Sequence, residues 1–375
     1  MNNAIRILHV LGRLDRGGAE TMVMNLYRNI DRSKVQFDFV KHTEDECDYD
    51  DEILKLGGKI HTISRYNGKN HYKYMHQWRT LFEAHPEYKI IHGHMRSTAS
   101  IYLKIAKNYG VTTIAHSHST ASRGNKLEQI IKYLLQLPVR YEADYLFACS
   151  DEAGRWLFGK KSVKKSNYRL FKNAIDINKY LFNQATRNKI RKILGIEDKF
   201  VIGHVGSFTY PKNHKFLVEV FNEVKRRKNN STLLLLGDGE LRENIITQIE
   251  RLGIEDNVIL LGNVPNINEY LQAMDVFAFP SIFEGLGISV IEAQTAGLPC
   301  VVSDNVPEVA FITKVVSRVQ MDVHLWENKI LDYCNYERTK IPAIVFRNAG
   351  YDIEKSSQEL IGFYIEKSLF YNTGE

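Results

Sequence analysis

The chain has 375 residues, 44% of them hydrophobic and 25% charged, the composition of a soluble globular protein with enough chain for two domains. Its net charge of +6 suits anionic ligands such as nucleotides, or an anionic membrane face, and is too small to argue for nucleic acid. The four cysteines, Cys47, Cys149, Cys300 and Cys334, form no C-x-x-C pair, so reduced thiols in a cytosolic protein are expected.

From the N-terminus, MNNAIRILHVLGRLDRGG holds no apolar run of signal-peptide length, and no later run approaches the roughly 18 apolar residues of a membrane helix. IRILHVL (5–11) is a buried-strand pattern, followed by a glycine turn into the helix-like GGAETMVMNLYRNI. VQFDFVK (35–41), KIHTI (59–63), YKIIHGH (88–94), VTTIAHSH (111–118) and ADYLFACS (143–150) continue the series, with helical stretches between several of them, such as 126–136. A second series begins near 200 with KFVIGHVGSF, the helix-like HKFLVEVFNEVKRRK (214–228) and STLLLLGDG (231–239). NVILLG (257–262), DVFAFPS (275–281) and PCVVSD (299–304) complete it, and a helix-like segment at 351–370 follows. Strand and helix alternating in this way predict two mostly parallel, helix-covered α/β halves, with a seam near 169–182. Ligands of such sheets bind at the carboxyl ends of the strands, so two halves make a cleft the place to look for chemistry.

FPSIFEGLGISVIEA (279–293) directly follows one of these strands. A helix is expected to begin at or just after Gly287 and to stop at Gly297, which puts Glu284 in the loop and Glu292 one to two turns into the helix. The amides of Gly285, Leu286 and Gly287 then stand at the positive helix end, where a phosphate is favoured. Carboxylates beside such a site suit sugar hydroxyls better than the phosphate, so the loop reads as a nucleotide-sugar cradle. Glutamate spacing alone favours a glycine turn with a surface glutamate and a helix glutamate; the whole string is far more specific.

PSIFEGLGISVIEA resembles the C-terminal signature of glycosyltransferase family 4, with Leu286 at a usually aromatic position. That resemblance implies an α/β protein of the GT-B class, two Rossmann-like doubly wound domains facing across a cleft. The expected division is 1–175 for the acceptor and 176–350 for the donor, with the C-terminal helix (351–375) packing back on the first. It places Glu284 on the donor sugar and Glu292 on the ribose hydroxyls.

Other segments extend the resemblance. GRLDRGGAE looks like the family's N-terminal glycine loop, with Gly17 and Gly18 near the diphosphate. TTIAHSHST carries the family's sugar-contacting histidine on His116, with His118 the alternative. HGHM places His94 where it could face the acceptor. H-x-H spacing with no carboxylate or cysteine beside it disfavours zinc. GSFTYPKNHKFL matches the segment that supplies cations to the diphosphate: Lys212 matches one, while Ser207 stands where an arginine is usual. Lys172 or Arg169 could supply the missing charge. FKNAID resembles the interdomain turn, with Ala174 for glycine. Gly237 and Gly239 in LLLLGDGE permit close backbone approach beside the nucleotide, and the backbone around Val264 reads the base.

The implied reaction is retaining transfer of a hexosyl group from a nucleotide sugar, commonly a UDP-sugar, to a glycan or polyprenyl-linked acceptor in capsular or exopolysaccharide synthesis. No metal or other cofactor is expected, since amides and cations stabilise the leaving diphosphate and no Asp-x-Asp motif is placed to hold a metal there. His116, Glu284 and Lys212 are thus cast as positioning and charge-stabilising groups. Two stretches mixing basic with aromatic or aliphatic residues, 64–82 and 125–141, suit an anionic lipid surface at the inner face of the plasma membrane as well as plain solvation. The chief rival is a catalytically silent transferase-like subunit, supported by Ser207. A nucleotide-sugar epimerase is disfavoured by the string at 279–293, and a dinucleotide dehydrogenase by the missing G-x-G-x-x-G fingerprint.

Overall fold

The computed structural model describes residues 4–119 and 126–369. Asn125 of the basic-apolar stretch, and residues 370–375 of the C-terminal segment, lie outside the described residues. The chain forms two compact units, Met1–Ile175 with Asp352–Glu375, and Asp176–Tyr351.

The first unit is built on a seven-stranded sheet of order β3-β2-β1-β4-β5-β6-β7. Its strands are β1 (Ile5–Val10), β2 (Val35–Lys41), β3 (Ile60–Thr62), β4 (Ile90–Gly93), β5 (Thr112–Ser117), β6 (Tyr145–Ala148) and β7 (Tyr168–Leu170). Every pairing is parallel. β2 is buried along its whole length, as a strand inside a helix-covered parallel sheet is, and its buried Asp38 and Lys41 are paired with Arg6 and Asp50. The helix Ile353–Leu369 belongs to this unit: Ile353, Leu360, Phe363 and Tyr364 share a core with Ile7, Phe37 and Phe39.

The second unit holds a six-stranded sheet of order β10-β9-β8-β11-β12-β13, again all parallel. The strands are β8 (Phe200–Val205), β9 (Ser231–Leu236), β10 (Val258–Gly262), β11 (Val276–Phe279), β12 (Cys300–Ser303) and β13 (Val316–Val319). The core joins Phe200, Ile202, Leu233 and Val276 to Leu217, Phe221 and Trp326.

Two strands depart from the expectation. β13 extends the second sheet beyond residue 304, where the apolar runs had it complete, and β7 adds an edge to the first. Both are edge strands, and both expose part of their length, so neither carries a buried-strand signal. None of the four cysteines forms a disulfide, and Cys47, Cys149 and Cys300 are buried.

Candidate active site

In each sheet the strand order reverses next to the first strand, between β1 and β4 and between β8 and β11. Such switch points are where doubly wound sheets bind ligands.

At the second switch point, the loop after β11 and the loop after β8 are tied together: Ile282 donates its backbone N–H to the Pro211 carbonyl at 2.7 Å. This clamp brings Lys212 to Glu284, whose Oε2 accepts from Nζ at 2.5 Å while Oε1 accepts from the Gly285 N–H at 3.2 Å. Lys212 Nζ also stands 4.6 Å from the centroid of the Phe279 ring. Both charged side chains are only part-exposed. Gly287 caps the helix Ile288–Thr295 at φ +80°, a conformation glycine adopts without strain, and no side chain caps its first amides. The charge of Lys212 and the positive helix end therefore lie on one loop system.

Asn213, directly after Lys212, adopts φ +54°, a region that non-glycine residues visit rarely and asparagine tolerates best. Behind this turn lie two histidines that the sequence did not single out. His204 donates from Nδ1 to the Ala278 carbonyl at 2.8 Å, and the His214 ring lies tilted against Phe208 with centroids 4.1 Å apart. Burial holds them down to about 4 and about 2, so both stay neutral and the cation here is Lys212. Their sequence signal is only that His204 lies within an apolar strand and His214 opens the amphipathic helix His214–Arg227.

Glu292 is buried on the helix Ile288–Thr295, and its Oε1 accepts from the Tyr180 hydroxyl at 2.8 Å. Burial pushes its carboxyl up to about 7. Tyr180, from the turn that opens the second unit, had no signal in the sequence. Gly237 (φ +128°) and Gly239 lie against the loop after β8: a Cβ would stand 2.2 Å from the Gly206 carbonyl oxygen and 2.6 Å from that of Phe208. Ser207 in that loop is exposed, its hydroxyl 3.5 Å from that of Thr209. Val264 is half-buried on the loop after β10.

In the first unit, Gly17 precedes the helix Gly18–Asn29, and the Glu20 carboxylate curls over it, 2.3 Å from where a Cβ would sit. The anion position at this helix start thus holds the chain's own carboxyl, which burial pushes up to about 7. Gly18 is exposed with open space about it. Of the two side chains considered for the missing charge, Arg169 stacks 4.5 Å from the Phe363 ring and Lys172 is half-buried in the same unit.

At the first switch point, β1, β4 and β5 bring five histidines together. His94 is buried with both ring nitrogens engaged: Nε2 with His9 Nδ1 at 3.0 Å and Nδ1 with His118 Nε2 at 2.8 Å. In parallel, His92 Nε2 meets His116 Nδ1 at 3.1 Å, and His92 Nδ1 meets the Tyr364 hydroxyl at 2.6 Å. His9 Nε2, His116 Nε2 and His118 Nδ1 are buried without a hydrogen-bond partner. Burial drives His9 and His118 down to about 3, and His92, His94 and His116 well below the usual range. The cluster is therefore a stack of neutral imidazoles. The two H-x-H pairs, for which no carboxylate or cysteine partner was expected, meet each other, with His9 as a fifth member.

Comparison with known proteins agrees with the architecture. Residues 186–322 match the family model "Glycosyl transferases group 1", and residues 16–179 match "Glycosyltransferase Family 4". EpsF of Bacillus subtilis (strain 168), named as a glycosyltransferase, is 33% identical over 368 residues, covering 96% of each chain. The capsular polysaccharide biosynthesis glycosyltransferase CapH of Staphylococcus aureus is 23% identical, over 97% of this chain and 100% of its own. The crystal structure of Anabaena Alr3699/HepE in complex with UDP and glucose superposes with a TM-score of 0.77 at 18% identity, over 96% of this chain and 99% of that one. This last likeness shows the fold, the GT-B type with two Rossmann-like units. By its sequence relatives and its fold, the chain is a glycosyltransferase and belongs to family 4, the group 1 glycosyl transferases.

Proposed function

We propose that this glycosyltransferase moves a hexosyl group from a UDP-sugar to a lipid-linked glycan in polysaccharide synthesis, with retention and without a metal on the diphosphate. The observation that carries the reading is the Lys212–Glu284 pair on the loop system that opens the helix Ile288–Thr295. Lys212 and the amides of Gly285, Leu286 and Gly287 supply positive charge to the leaving diphosphate. Glu284 accepts from hydroxyls of the transferred sugar, and Glu292, held by Tyr180, from those of the ribose. The close-packed backbone at Gly237 and Gly239, and that at Val264, borders the nucleotide. In the first unit, His116 Nε2 is a neutral nitrogen without a protein partner, suited to a sugar hydroxyl. Same-face attack, with the departing phosphate taking the acceptor's proton, needs no protein nucleophile. The relatives support this reading through the UDP and glucose of the HepE structure and the capsular polysaccharide role in the name of CapH.

For the acceptor, the helix Lys126–Gln136 presents Ile130, Ile131, Tyr133 and Leu134, each about half exposed. No helix among the described residues is long and apolar enough to cross a membrane. An apolar face of this kind fits the headgroup region of an anionic bilayer, where a polyprenyl-linked glycan would be met.

Ser207, a neutral side chain where family members carry arginine, favours one second reading, a silent sugar-binding subunit. Calorimetric titration with UDP tests the donor site itself. The wild type is expected to bind, Lys212→Ala to bind at least about tenfold more weakly, and Ser207→Arg to bind more tightly. Absence of UDP binding would overturn both readings; UDP binding without turnover of any UDP-sugar would favour the silent subunit.

A further inference from the structure

We propose that Tyr364 is a positioning residue: acting through His92, its hydroxyl keeps the ring proton of His116 on Nε2, so that this nitrogen gives a hydrogen bond to a hydroxyl oxygen of the transferred sugar. The inference rests on the reading in which His116 meets the sugar, and adds which of the two donates. All three residues belong to the first unit.

Tyr364 lies on the helix Ile353–Leu369 and is fully buried, its ring edge-on to Phe37. Among the described residues, the hydrogen-bond partner of its hydroxyl is His92 Nδ1, at 2.6 Å. Burial holds the phenol well above its usual range, so it keeps its proton, and a tyrosine hydroxyl must place that proton on an acceptor. His92 Nδ1 therefore accepts, which puts the His92 ring proton on Nε2. In a neutral imidazole the hydrogen bond of one nitrogen sets the state of the other. His92 Nε2 then donates to His116 Nδ1 at 3.1 Å. His116, also neutral, carries its one proton on Nε2, the nitrogen without a partner in the protein.

The opposite direction leaves more unmade. His116 Nδ1–H would donate to His92, and His92 Nδ1–H to the Tyr364 oxygen. The Tyr364 O–H and a bare His116 Nε2 would then both be buried without partners, where the first arrangement leaves only the His116 Nε2–H. One further unmade hydrogen bond in a buried place corresponds to roughly a tenfold preference. The neighbouring row His9–His94–His118 has no such anchor. Its ends, His9 Nε2 and His118 Nδ1, both lack partners, so either direction leaves one donor and one acceptor over. A ring protonated on Nε2 offers the sugar no lone pair there, so His116 is no base at that atom, in keeping with a departing phosphate that takes the acceptor's proton.

The test is long-range ¹H–¹⁵N correlation of the histidine rings in ¹⁵N-labelled full-length protein, with His116 identified by its loss in His116→Gln. The wild type, with no sugar nucleotide added, is expected to show His116 protonated on Nε2. Tyr364→Phe keeps the ring in the core and removes the proton donor. Part of His116 should then move to the Nδ1–H form, and kcat/KM for the UDP-sugar should fall about threefold to tenfold, with UDP affinity within about twofold. Tyr27→Phe removes another buried hydroxyl of the same core, one that donates to the Leu56 carbonyl, and should change neither the His116 pattern nor turnover. His116 protonated on Nδ1 in the wild type, a pattern unmoved by Tyr364→Phe, or an equal fall in turnover in Tyr27→Phe would overturn the proposal. The ring proton is read without substrate, so absent turnover would overturn the proposed function and its sugar contact, while the His116 pattern still decides the role of Tyr364.

Discussion

Lys212 Nζ and Glu284 Oε2 lie 2.5 Å apart, although 72 positions separate them in the chain. They meet because β8 and β11 are neighbours in the sheet, and because the backbone bond from Ile282 to Pro211 clamps the two following loops. The Glu284 carboxylate offsets the charge of the lysine proposed to meet the diphosphate.

Substitutions at the two positions separate these roles. Lys212→Ala should lower kcat/KM on the order of 10²-fold or more, since it removes charge stabilisation of the leaving group. Lys212→Arg should restore part of it. Glu284→Gln should lower turnover while leaving UDP affinity within about twofold, because its role is on the sugar and not the nucleotide. Steady-state kinetics beside UDP calorimetry checks this; equal losses of UDP affinity in both variants would contradict the assignment.

Glu292 gives the fold a pH signature. Burial moves its carboxyl from an ordinary 4.5 up to about 7. As pH rises, the unfolded chain ionises this group first and the folded chain keeps the proton. Stability should therefore fall between about pH 4.5 and 7, by up to about 3 kcal/mol. Glu292→Gln should remove that part of the slope and leave the variant more stable than the wild type at pH 8, at the expense of donor affinity. Urea unfolding across this range is the measurement; an unchanged slope would contradict it.

The turn at Gly237 should resist change. Gly237→Ala would strain a φ of +128° and press a Cβ to 2.2 Å from the Gly206 oxygen. A loss of at least about 2 kcal/mol is expected in denaturant unfolding. At Gly18, where nothing lies within 4 Å of the Cβ position, the same change should be near neutral.

The exposed face of the helix Lys126–Gln136 should decide membrane attachment. Ile130→Lys with Leu134→Lys should reduce cosedimentation with phosphatidylglycerol vesicles at least about tenfold. It should leave the melting temperature unchanged, since Ile130 is 57% and Leu134 58% exposed. Equal cosedimentation of variant and wild type would leave that face without a lipid role.

The two-sheet architecture was legible because parallel strands buried on both faces become apolar runs, as in β11 and the four leucines of β9. The edge strands β7 and β13 were not, because an edge needs no such run. At the site, the loop at 284–287 and the helix carrying Glu292 were legible because capping and spacing are local properties. The partnership of Glu292 with Tyr180, and the meeting of His9, His94 and His118, were not. Such contacts are set by strand order, and parallel crossovers bring distant positions to neighbouring strand ends without leaving a periodic trace.

The central claim, transfer from a nucleotide sugar without a metal on the diphosphate, is tested most directly by donor turnover. Purified protein would be given a panel of nucleotide sugars with EDTA and membrane extract as acceptor source, reading released nucleoside diphosphate. Release from a UDP-sugar in EDTA, lost in Glu284→Ala, is the expected result. Release that requires added magnesium, or silence across the whole panel from protein that binds UDP, would contradict it.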